Sequence, residues 1–241
     1  ADRADYLGDP DFTLVPQQRL LDSAYLDQRA REINPAAISD TAAVTPGLEG
    51  YHTTHFSILD KDGNAVSNTY TLNLDYGSGV VVRGAGFLLN NEMDDFSVKS
   101  GVPNMFGAVG GEANSIKPGK RMLSSMTPTI VMKNGKPYII VGTPGGTTIP
   151  TSVYQSIVNI VDFKLSPGMS INTPKFHHQW LPETVLVETH FPETTISDLE
   201  KKNYKIERVS QIGRTEMIVI DEKGNATAVA DGRGDDSVAV E

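Results

Sequence analysis

Thr53-Thr54-His55-Phe56-Ser57 is the stretch of sequence that decides the fold. It begins the first strong β pattern of the chain, after a run from Ile33 to His52 that prolines, glycines and small residues break up. Such a run is typical of an exposed, mobile linker in which a chain cut is tolerated. After a cut before Thr53, the new α-amino group can act as the base for the threonine hydroxyl. A threonine that merely begins a strand is the competing interpretation.

The following strand carries a second set of polar side chains. The sequence Asp60-Lys61-Asp62-Gly63-Asn64 predicts a hairpin turn between His55–Leu59 and Ala65–Asn73. Strand alternation then places Thr69, Thr71 and Asn73 on one face, close to Thr53. A second hydroxyl there can orient a nucleophile, and an amide can contact a substrate. Ordinary strand residues with an asparagine at the strand end remain the alternative.

The rest of the chain predicts an α+β fold made of hairpins and face-packing helices. Hairpin signals imply antiparallel sheet, and two more of them occur at Asn134-Gly135, between Thr129–Met132 and Pro137–Gly142, and at Lys223-Gly224-Asn225, between Met217–Ile220 and Ala226–Ala230. Helical spacing predicts three helices, over Pro16 to about Glu32, Pro150–Phe163 with Thr148 as its N-cap, and Glu193–Asn203.

A cluster of carboxylates follows the apolar strand that ends at Leu89. Glu92, Asp94 and Asp95 repel one another unless solvent or a cation compensates their charge. A substrate ammonium group is one candidate cation, and calcium or magnesium is another. The spacing lacks the alternating ligands of a calcium loop, and a solvated acidic loop is the plain alternative.

Two further loops carry groups suited to binding anions. Ser124 and Ser125 offer small hydroxyls that can hydrogen-bond a carboxylate. Gly145 and Gly146 lie between an apolar strand and a helix start, where free backbone N–H groups can bind an oxyanion. The absence of a neighbouring lysine argues against a nucleotide-binding loop. Loop serines and a tight strand-to-helix turn are the alternatives.

Composition excludes several classes of protein. The 241 residues carry a net charge of -9 and no cysteine. The acidic balance without a basic cluster argues against nucleic acid and anionic membrane surfaces, and the lack of cysteine rules out disulfides and thiolate chemistry. The histidines lack the spacing of a metal site, so the sequence predicts neither a metal nor a cofactor.

The order of these motifs along the chain closely resembles the γ-glutamyltranspeptidase family. Thr53–Ser57, Asp60–Val66, Thr69–Asn73, the Leu-Leu-Asn-Asn-Glu-Met-Asp-Asp-Phe run, Leu-Ser-Ser-Met, Pro-Gly-Gly and Phe176–Pro182 are similar to that family's small subunit. The opening Tyr6–Phe12 resembles the end of its large subunit. The resemblance covers nearly the whole chain.

This resemblance implies an N-terminal-nucleophile hydrolase fold, an αββα sandwich that is partial here and completed by the rest of the large subunit. Residues 1–52 would be the end of the large subunit with the linker, and residues 53–241 the small catalytic subunit. The chain would cut itself between His52 and Thr53 and then cleave γ-glutamyl amides such as glutathione, passing the acyl group to water or to amino-acid or peptide acceptors. The family also implies a periplasmic or secreted location and a heterodimer with the large subunit.

The resemblance also implies a role for each motif residue. Thr53 would be the nucleophile and Thr71 its hydrogen-bond partner, with Gly145 and Gly146 as oxyanion donors. Asn73, Glu92 and Asp95 would hold the donor's α-amino group, and Ser124 and Ser125 its α-carboxylate. The segment from about Asp95 to Gly111, here named the lid, would cover the donor. Phe106 stands where some members carry a latching tyrosine, and the carboxylate-binding arginine is expected in the absent part of the large subunit. A glutaryl or cephalosporin-type acylase and a non-catalytic unprocessed fragment are the competing functions.

Overall fold

The computed structural model describes residues 2–33 and 53–240. The helices are α1 (Asp2–Tyr6), α2 (Gln17–Leu20), α3 (Ser23–Glu32), α4 (Ile149–Val161), α5 (Pro167–Asn172) and α6 (Glu193–Glu200). The strands are β1 (Thr53–Leu59), β2 (Ala65–Thr71), β3 (Thr129–Lys133), β4 (Lys136–Gly142), β5 (Phe176–His177), β6 (Thr184–Glu188), β7 (Lys205–Val209), β8 (Glu216–Ile220) and β9 (Ala226–Val229). Short 3₁₀ turns occur at Glu92–Asp95, Glu112–Asn114 and Gly146–Thr148.

A four-stranded antiparallel sheet in the order β3-β4-β8-β9 forms the centre of the fold. Two of the predicted hairpins build it, and both are confirmed. One face is covered by α4 and α5, where Ile139 and Val141 of β4 pack with Ile149 and Val153 of α4 and Met217 of β8. All five side chains are at most 2% exposed, so this interface is the main apolar core.

The hairpin β1–β2 covers the opposite face of the sheet. Because strand side chains alternate, Ile140 and Gly142 point away from the α4 core, and an added Cβ at Gly142 would meet the His55 ring at 2.2 Å. Ser67 of β2 donates a hydrogen bond to the Val141 carbonyl at 2.9 Å and accepts one from the Thr129 amide at 3.1 Å. The hairpin is therefore held in place by specific polar contacts.

His55 lies in the middle of this interface and is only 7% exposed. Its ring nitrogens contact the hydroxyls of Thr69 at 2.7 Å and Ser57 at 3.2 Å. Burial lowers the pKa of His55 to about 4, so the ring is neutral at physiological pH. Both nitrogens have partners, which removes most of the cost of burying the ring.

The layers therefore run helix, sheet, sheet, and the predicted α+β class is confirmed. The outer face of the β1–β2 hairpin exposes Phe56, Ile58, Val66 and Tyr70, each at least 40% accessible. Among the described residues, no helix lies on that face. None of the helices in the described ranges is long and apolar enough to cross a membrane. The second helical layer of the expected sandwich is thus not part of the described residues.

Several details of the secondary structure differ from the sequence prediction. The strand predicted to end at Leu89 is wrong, because Leu88 forms only an isolated bridge with Val81. The single helix predicted from Pro16 is wrong, because α2 ends at Leu20 and Asp22 begins α3 by accepting a hydrogen bond from the Tyr25 amide at 3.0 Å. The antiparallel expectation also fails at one sheet, where β6 and β7 pair in parallel across the α6 crossover. No hairpin turn sequence was identified between β6 and β7, so the sequence did not indicate how these two strands pair. The predicted linker, apart from Ile33, lies outside the described residues.

We expect Gly142→Ala to lower the free energy of unfolding by about 1–3 kcal/mol, because its methyl group would overlap the buried His55 ring. Gly168→Ala is the matched control, since an added Cβ there meets no atom within 4 Å. Denaturant titration of both variants measures the difference. Equal stabilities of the two variants would show that the hairpin does not lie this close to β4.

Candidate active site

A cavity of about 230 Å³ opens beside the first residue of β1. Eight of the nine residues predicted for the site line it, namely Thr53, Thr71, Asn73, Glu92, Asp95, Ser124, Ser125 and Gly146. Gly145 precedes Gly146 in the chain and is not among the lining residues. Five separate segments of the chain supply the eight groups, so the fold brings together what is far apart in sequence.

Thr53 and Thr71 face each other across the β1–β2 hairpin as a directly opposed pair. The Thr53 hydroxyl donates to the Thr71 hydroxyl at 3.3 Å. The Thr71 oxygen also accepts a hydrogen bond from the Asn73 amide at 2.8 Å. The hydroxyl of Thr71 is thereby held in position to orient that of Thr53.

Asn73 reaches the cavity by a route that strand alternation does not predict. Strand β2 ends at Thr71, and Asn73 has a left-handed backbone with φ of 73°. Its side-chain amide donates to the Asn91 carbonyl at 3.2 Å, while the Asn91 side chain accepts from the Leu74 amide at 3.1 Å. The prediction that Asn73 continues the face of Thr69 and Thr71 is therefore wrong. The turn instead ties the strand end to the loop that carries Glu92.

Glu92 and Asp95 form a carboxyl pair on one wall of the cavity. Burial, together with the neighbouring Asp95 charge, raises the pKa of Glu92 to about 7. Burial also raises the pKa of Asp95 to about 6, although the hydrogen bond with Glu92 and the charge of Arg3 lower it. The pair therefore carries a proton near neutral pH and is poised to release it to solvent when a cation binds beside it.

Arg3 is a site residue that the sequence analysis missed. It lines the cavity, donates a hydrogen bond to the Ser125 hydroxyl at 3.0 Å and lies within electrostatic range of Asp95. A lone arginine in a short polar segment gives no periodic signal. Its position beside the Tyr6–Phe12 motif was the one available indication.

Two contacts fix the segment that carries Arg3. The Gly111 amide donates to the Ala4 carbonyl at 2.9 Å. The carboxylate of Asp9 accepts hydrogen bonds from the Arg121 amide at 2.9 Å and its guanidinium at 2.6 Å. Asp9 belongs to the Tyr6–Phe12 motif, and Arg121 begins the loop that leads to Ser124. The motif therefore anchors α1 against the serine loop.

The glycine turn lies between β4 and α4. Gly145 has φ of 138°, and an added Cβ would meet the Thr148 hydroxyl at 2.6 Å, so only glycine fits. Within the described part of the chain, the N–H groups of Gly145 and Gly146 donate to no protein acceptor. Gly146 borders the cavity, and its N–H is available for an oxyanion. Thr148 occupies the predicted N-cap position of α4, but its hydroxyl donates to the Gly145 carbonyl at 2.7 Å and forms no side-chain cap.

A buried ionic cluster supports this turn from behind. The Arg233 guanidinium pairs with Glu188 at 2.6 Å and Asp231 at 2.9 Å. These carboxylates in turn accept the Ile212 and Thr215 amides, each at 2.8 Å. The loop between those two amides packs on the glycine turn, where the Arg214 amide donates to the Thr143 hydroxyl at 2.7 Å.

The lid lies over the cavity without a tyrosine latch. The Phe106 ring is 5% exposed, and the Asn104 side chain accepts the amides of Phe106 and Ala108, both at 3.0 Å. The Met105 amide also donates to Asp94 at 3.4 Å. In the described ranges no group of three or more histidine or carboxylate side chains is arranged to hold a metal ion.

Comparison with known proteins identifies the family. The family model for gamma-glutamyltranspeptidase matches residues 1–241. The glutathione hydrolase proenzyme of Pseudomonas aeruginosa is 56% identical over 238 residues, which are 97% of this chain and 42% of that protein. The chain belongs to the γ-glutamyltranspeptidase family. It spans about two fifths of the length of this relative and of the glutathione hydrolase proenzyme of Escherichia coli, which is 46% identical over 242 residues.

Solved structures support the same assignment. The gamma-glutamyltranspeptidase of Pseudomonas nitroreducens, complexed with L-DON, superposes with a TM-score of 0.74 and is 48% identical, covering 78% of this chain and 99% of that one. The cephalosporin acylase of Bacillus halodurans superposes with a TM-score of 0.82 and is 27% identical, covering 99% of this chain and 42% of that one. The predicted N-terminal-nucleophile hydrolase fold is confirmed by these similarities.

We expect Glu92→Gln to stabilise the empty protein at pH 8 but not at pH 5. The folded-state pKa values of about 7 and 6 lie above those of an unfolded chain, so the wild type loses stability as pH rises through that window. Replacing the Glu92 carboxyl with a neutral amide removes one of the two negative charges, so the variant loses less stability as pH rises. Thermal unfolding at both pH values measures it, with exposed Glu112→Gln as control. A pH-independent difference between Glu92→Gln and wild type would contradict the proton-sharing pair.

Proposed function

We propose that this chain forms the catalytic part of a self-processing γ-glutamyltransferase and hydrolase. The observation that carries the proposal is the arrangement around Thr53, whose hydroxyl donates to Thr71 at the mouth of a cavity with two kinds of wall. The carboxyls of Glu92 and Asp95 suit an ammonium group. Ser125, held by Arg3, suits a carboxylate. A γ-glutamyl head group is a zwitterion, so it needs one wall for its ammonium group and one for its carboxylate.

Self-cleavage would proceed by an acyl shift at Thr53. The Thr53 oxygen attacks the carbonyl carbon of His52, the C–N bond breaks, and the nitrogen leaves as the free α-amine of Thr53. The resulting ester is hydrolysed by water, which gives a carboxylate on His52 and restores the hydroxyl. The division into residues 1–52 and 53–241 follows from this step. The shift exposes an amine with an ordinary pKa of about 8 next to the nucleophile.

Turnover would use the same oxygen in two steps. The Thr53 amine takes the hydroxyl proton as the oxygen attacks the γ-amide carbonyl, and the Gly145 and Gly146 N–H groups stabilise the oxyanion, each donor being worth about 3 kcal/mol. The leaving amine takes up the proton and departs, which leaves a γ-glutamyl ester. Water or an acceptor amine then attacks this ester and regenerates Thr53.

The same proposal includes the partner and the location. The exposed apolar side chains on the outer face of β1–β2 suit a second helical layer, and the chain spans 42% of the P. aeruginosa relative. We therefore assign that layer to the large subunit of the same precursor, in a heterodimer. A periplasmic or secreted location and glutathione as the donor follow from the family. The preferred acceptor is an amino acid or peptide.

An acylase for glutaryl or cephalosporin-type amides is the second candidate, because a cephalosporin acylase shares the fold over 99% of this chain. Glutaryl compounds lack the α-ammonium group, so they leave Glu92 and Asp95 without a partner. Rates of release from γ-glutamyl and glutaryl anilides distinguish the two functions. Preference for the glutaryl compound would overturn the transferase assignment. A protein that cleaves neither anilide would support the non-catalytic fragment.

We expect Thr53→Ala to abolish both chain cleavage and turnover in the full-length protein, because the attacking oxygen is absent. Thr54→Ala is the matched control, since Thr54 is exposed on the opposite side of the same strand. Intact-mass measurement and N-terminal sequencing report cleavage, and anilide release reports turnover. A folded Thr53→Ala protein that still yields a fragment starting at residue 53 would refute the mechanism.

We expect Glu92→Ala and Asp95→Ala to raise the donor KM by about 10- to 150-fold, through loss of a charge-assisted contact worth roughly 1.5–3 kcal/mol. Steady-state kinetics with a γ-glutamyl anilide measures the effect. Exposed Glu112→Ala serves as the control for a general change in charge. A donor KM within twofold of wild type in both site variants would remove the acidic pair from the ammonium site.

A further inference from the structure

A chain of hydrogen bonds connects α4 to the lid. The Thr151 hydroxyl contacts His177 Nδ1 at 2.8 Å. His177 Nε2 contacts Gln179 Oε1 at 2.9 Å. Gln179 Nε2 then donates to the Phe106 carbonyl at 3.4 Å. His177 and Gln179 belong to the Phe176–Pro182 motif, and neither is one of the proposed catalytic or donor-binding residues.

The contact with the Phe106 carbonyl determines which atom donates and which accepts in these hydrogen bonds. A carbonyl only accepts, so Gln179 turns its NH₂ group to Phe106 and its oxygen to His177. His177 Nε2 must then carry the hydrogen. The ring is 3% exposed, and burial lowers its pKa, so the ring is neutral and Nδ1 is an acceptor. The single hydroxyl hydrogen of Thr151 faces two acceptors, Nδ1 and the Thr148 carbonyl. The N–H groups of His177 and Gln179 both point towards the lid.

The lid end of this chain is a compact turn. The Asn104 side chain accepts the amides of Phe106 and Ala108, and the Asn104 carbonyl accepts that of Gly107 at 3.0 Å. Asn104, Phe106 and Ala108 all line the cavity. The turn thus forms a wall of the proposed donor site, and Gln179 holds it from outside.

The other end of the chain lies on the element that follows the oxyanion turn. Thr151 is in the first turn of α4, and its hydroxyl also lies 2.9 Å from the Thr148 carbonyl. Gly146–Thr148 is the 3₁₀ turn that borders the cavity. The hydrogen-bond chain therefore spans from the oxyanion side of the cavity to its lid.

We propose that Gln179, oriented by His177 and Thr151, is a positioning residue that fixes the lid over the donor site in register with the oxyanion turn. The assignment of a donor to that site rests on the proposed function. The position of the lid itself does not. Because Gln179 contacts the main chain of Phe106, this contact needs no hydroxyl on the side chain at position 106.

Two substitutions at Gln179 separate this contact from ordinary packing. Gln179→Glu keeps the size and the oxygen that faces His177, but it places a second oxygen against the Phe106 carbonyl. Gln179→Ala removes both contacts. We expect both variants to speed amide hydrogen exchange at Phe106, Gly107 and Ala108 by about 3- to 10-fold. The donor KM should rise by a similar factor, with kcat within twofold, because the lid binds the donor but does not take part in the chemistry.

Gln155→Ala is the matched control. Gln155 holds the same segment to the same helix, through its bonds to the Thr151 and Phe176 carbonyls at 2.9 and 2.7 Å, but it does not contact the lid. It should leave lid exchange and donor KM unchanged. The proposal is overturned if Gln155→Ala reproduces the effect, or if Gln179→Glu exchanges like wild type. Exchange is measured on the full-length processed protein without donor, so this test stands even if γ-glutamyl anilides are not cleaved.

Discussion

The docking of the β1–β2 hairpin on the central sheet is the contact on which the site depends. Thr53 reaches the cavity only because Ser67 fixes the hairpin on β4 and His55 fits against the bare backbone of Gly142. An apolar interface tolerates small shifts, whereas the two hydrogen bonds of Ser67, at 2.9 and 3.1 Å, permit one register. These polar contacts give Thr53, the proposed nucleophile, a defined position.

The cavity lowers the stability of the folded protein when no ligand is bound. Two half-buried carboxyls with raised pKa values destabilise the folded state above neutral pH, and the nearby guanidinium of Arg3 only partly compensates. The same arrangement favours a ligand that carries an ammonium group at one end and a carboxylate at the other. Binding would then relieve an electrostatic penalty already present, which is how a small site can bind a strongly hydrated zwitterion.

Sequence patterns predicted the parts of this protein that local chemistry determines. The three hairpins follow from turn residues such as Asn134-Gly135, and the site residues follow from ordered motifs. The break at Asp22 was missed because a capping aspartate inside a helical pattern looks like an ordinary surface residue. The parallel pair β6–β7 and the contact of Arg3 with Ser125 were missed for another reason. Both join segments whose proximity only tertiary packing creates.

Distance along the chain also explains why the supporting network was hard to foresee. Arg233 acts on the oxyanion turn through Glu188, Asp231 and the amides of the intervening loop, and each link joins residues at least 16 positions apart, except that between Arg233 and Asp231. A chain built this way aligns Thr53, the glycine turn at Gly145 and Gly146, and the lid only after the whole fold has formed. Self-cleavage that requires the same groups would therefore be confined to correctly folded molecules, which couples the onset of activity to the completion of folding.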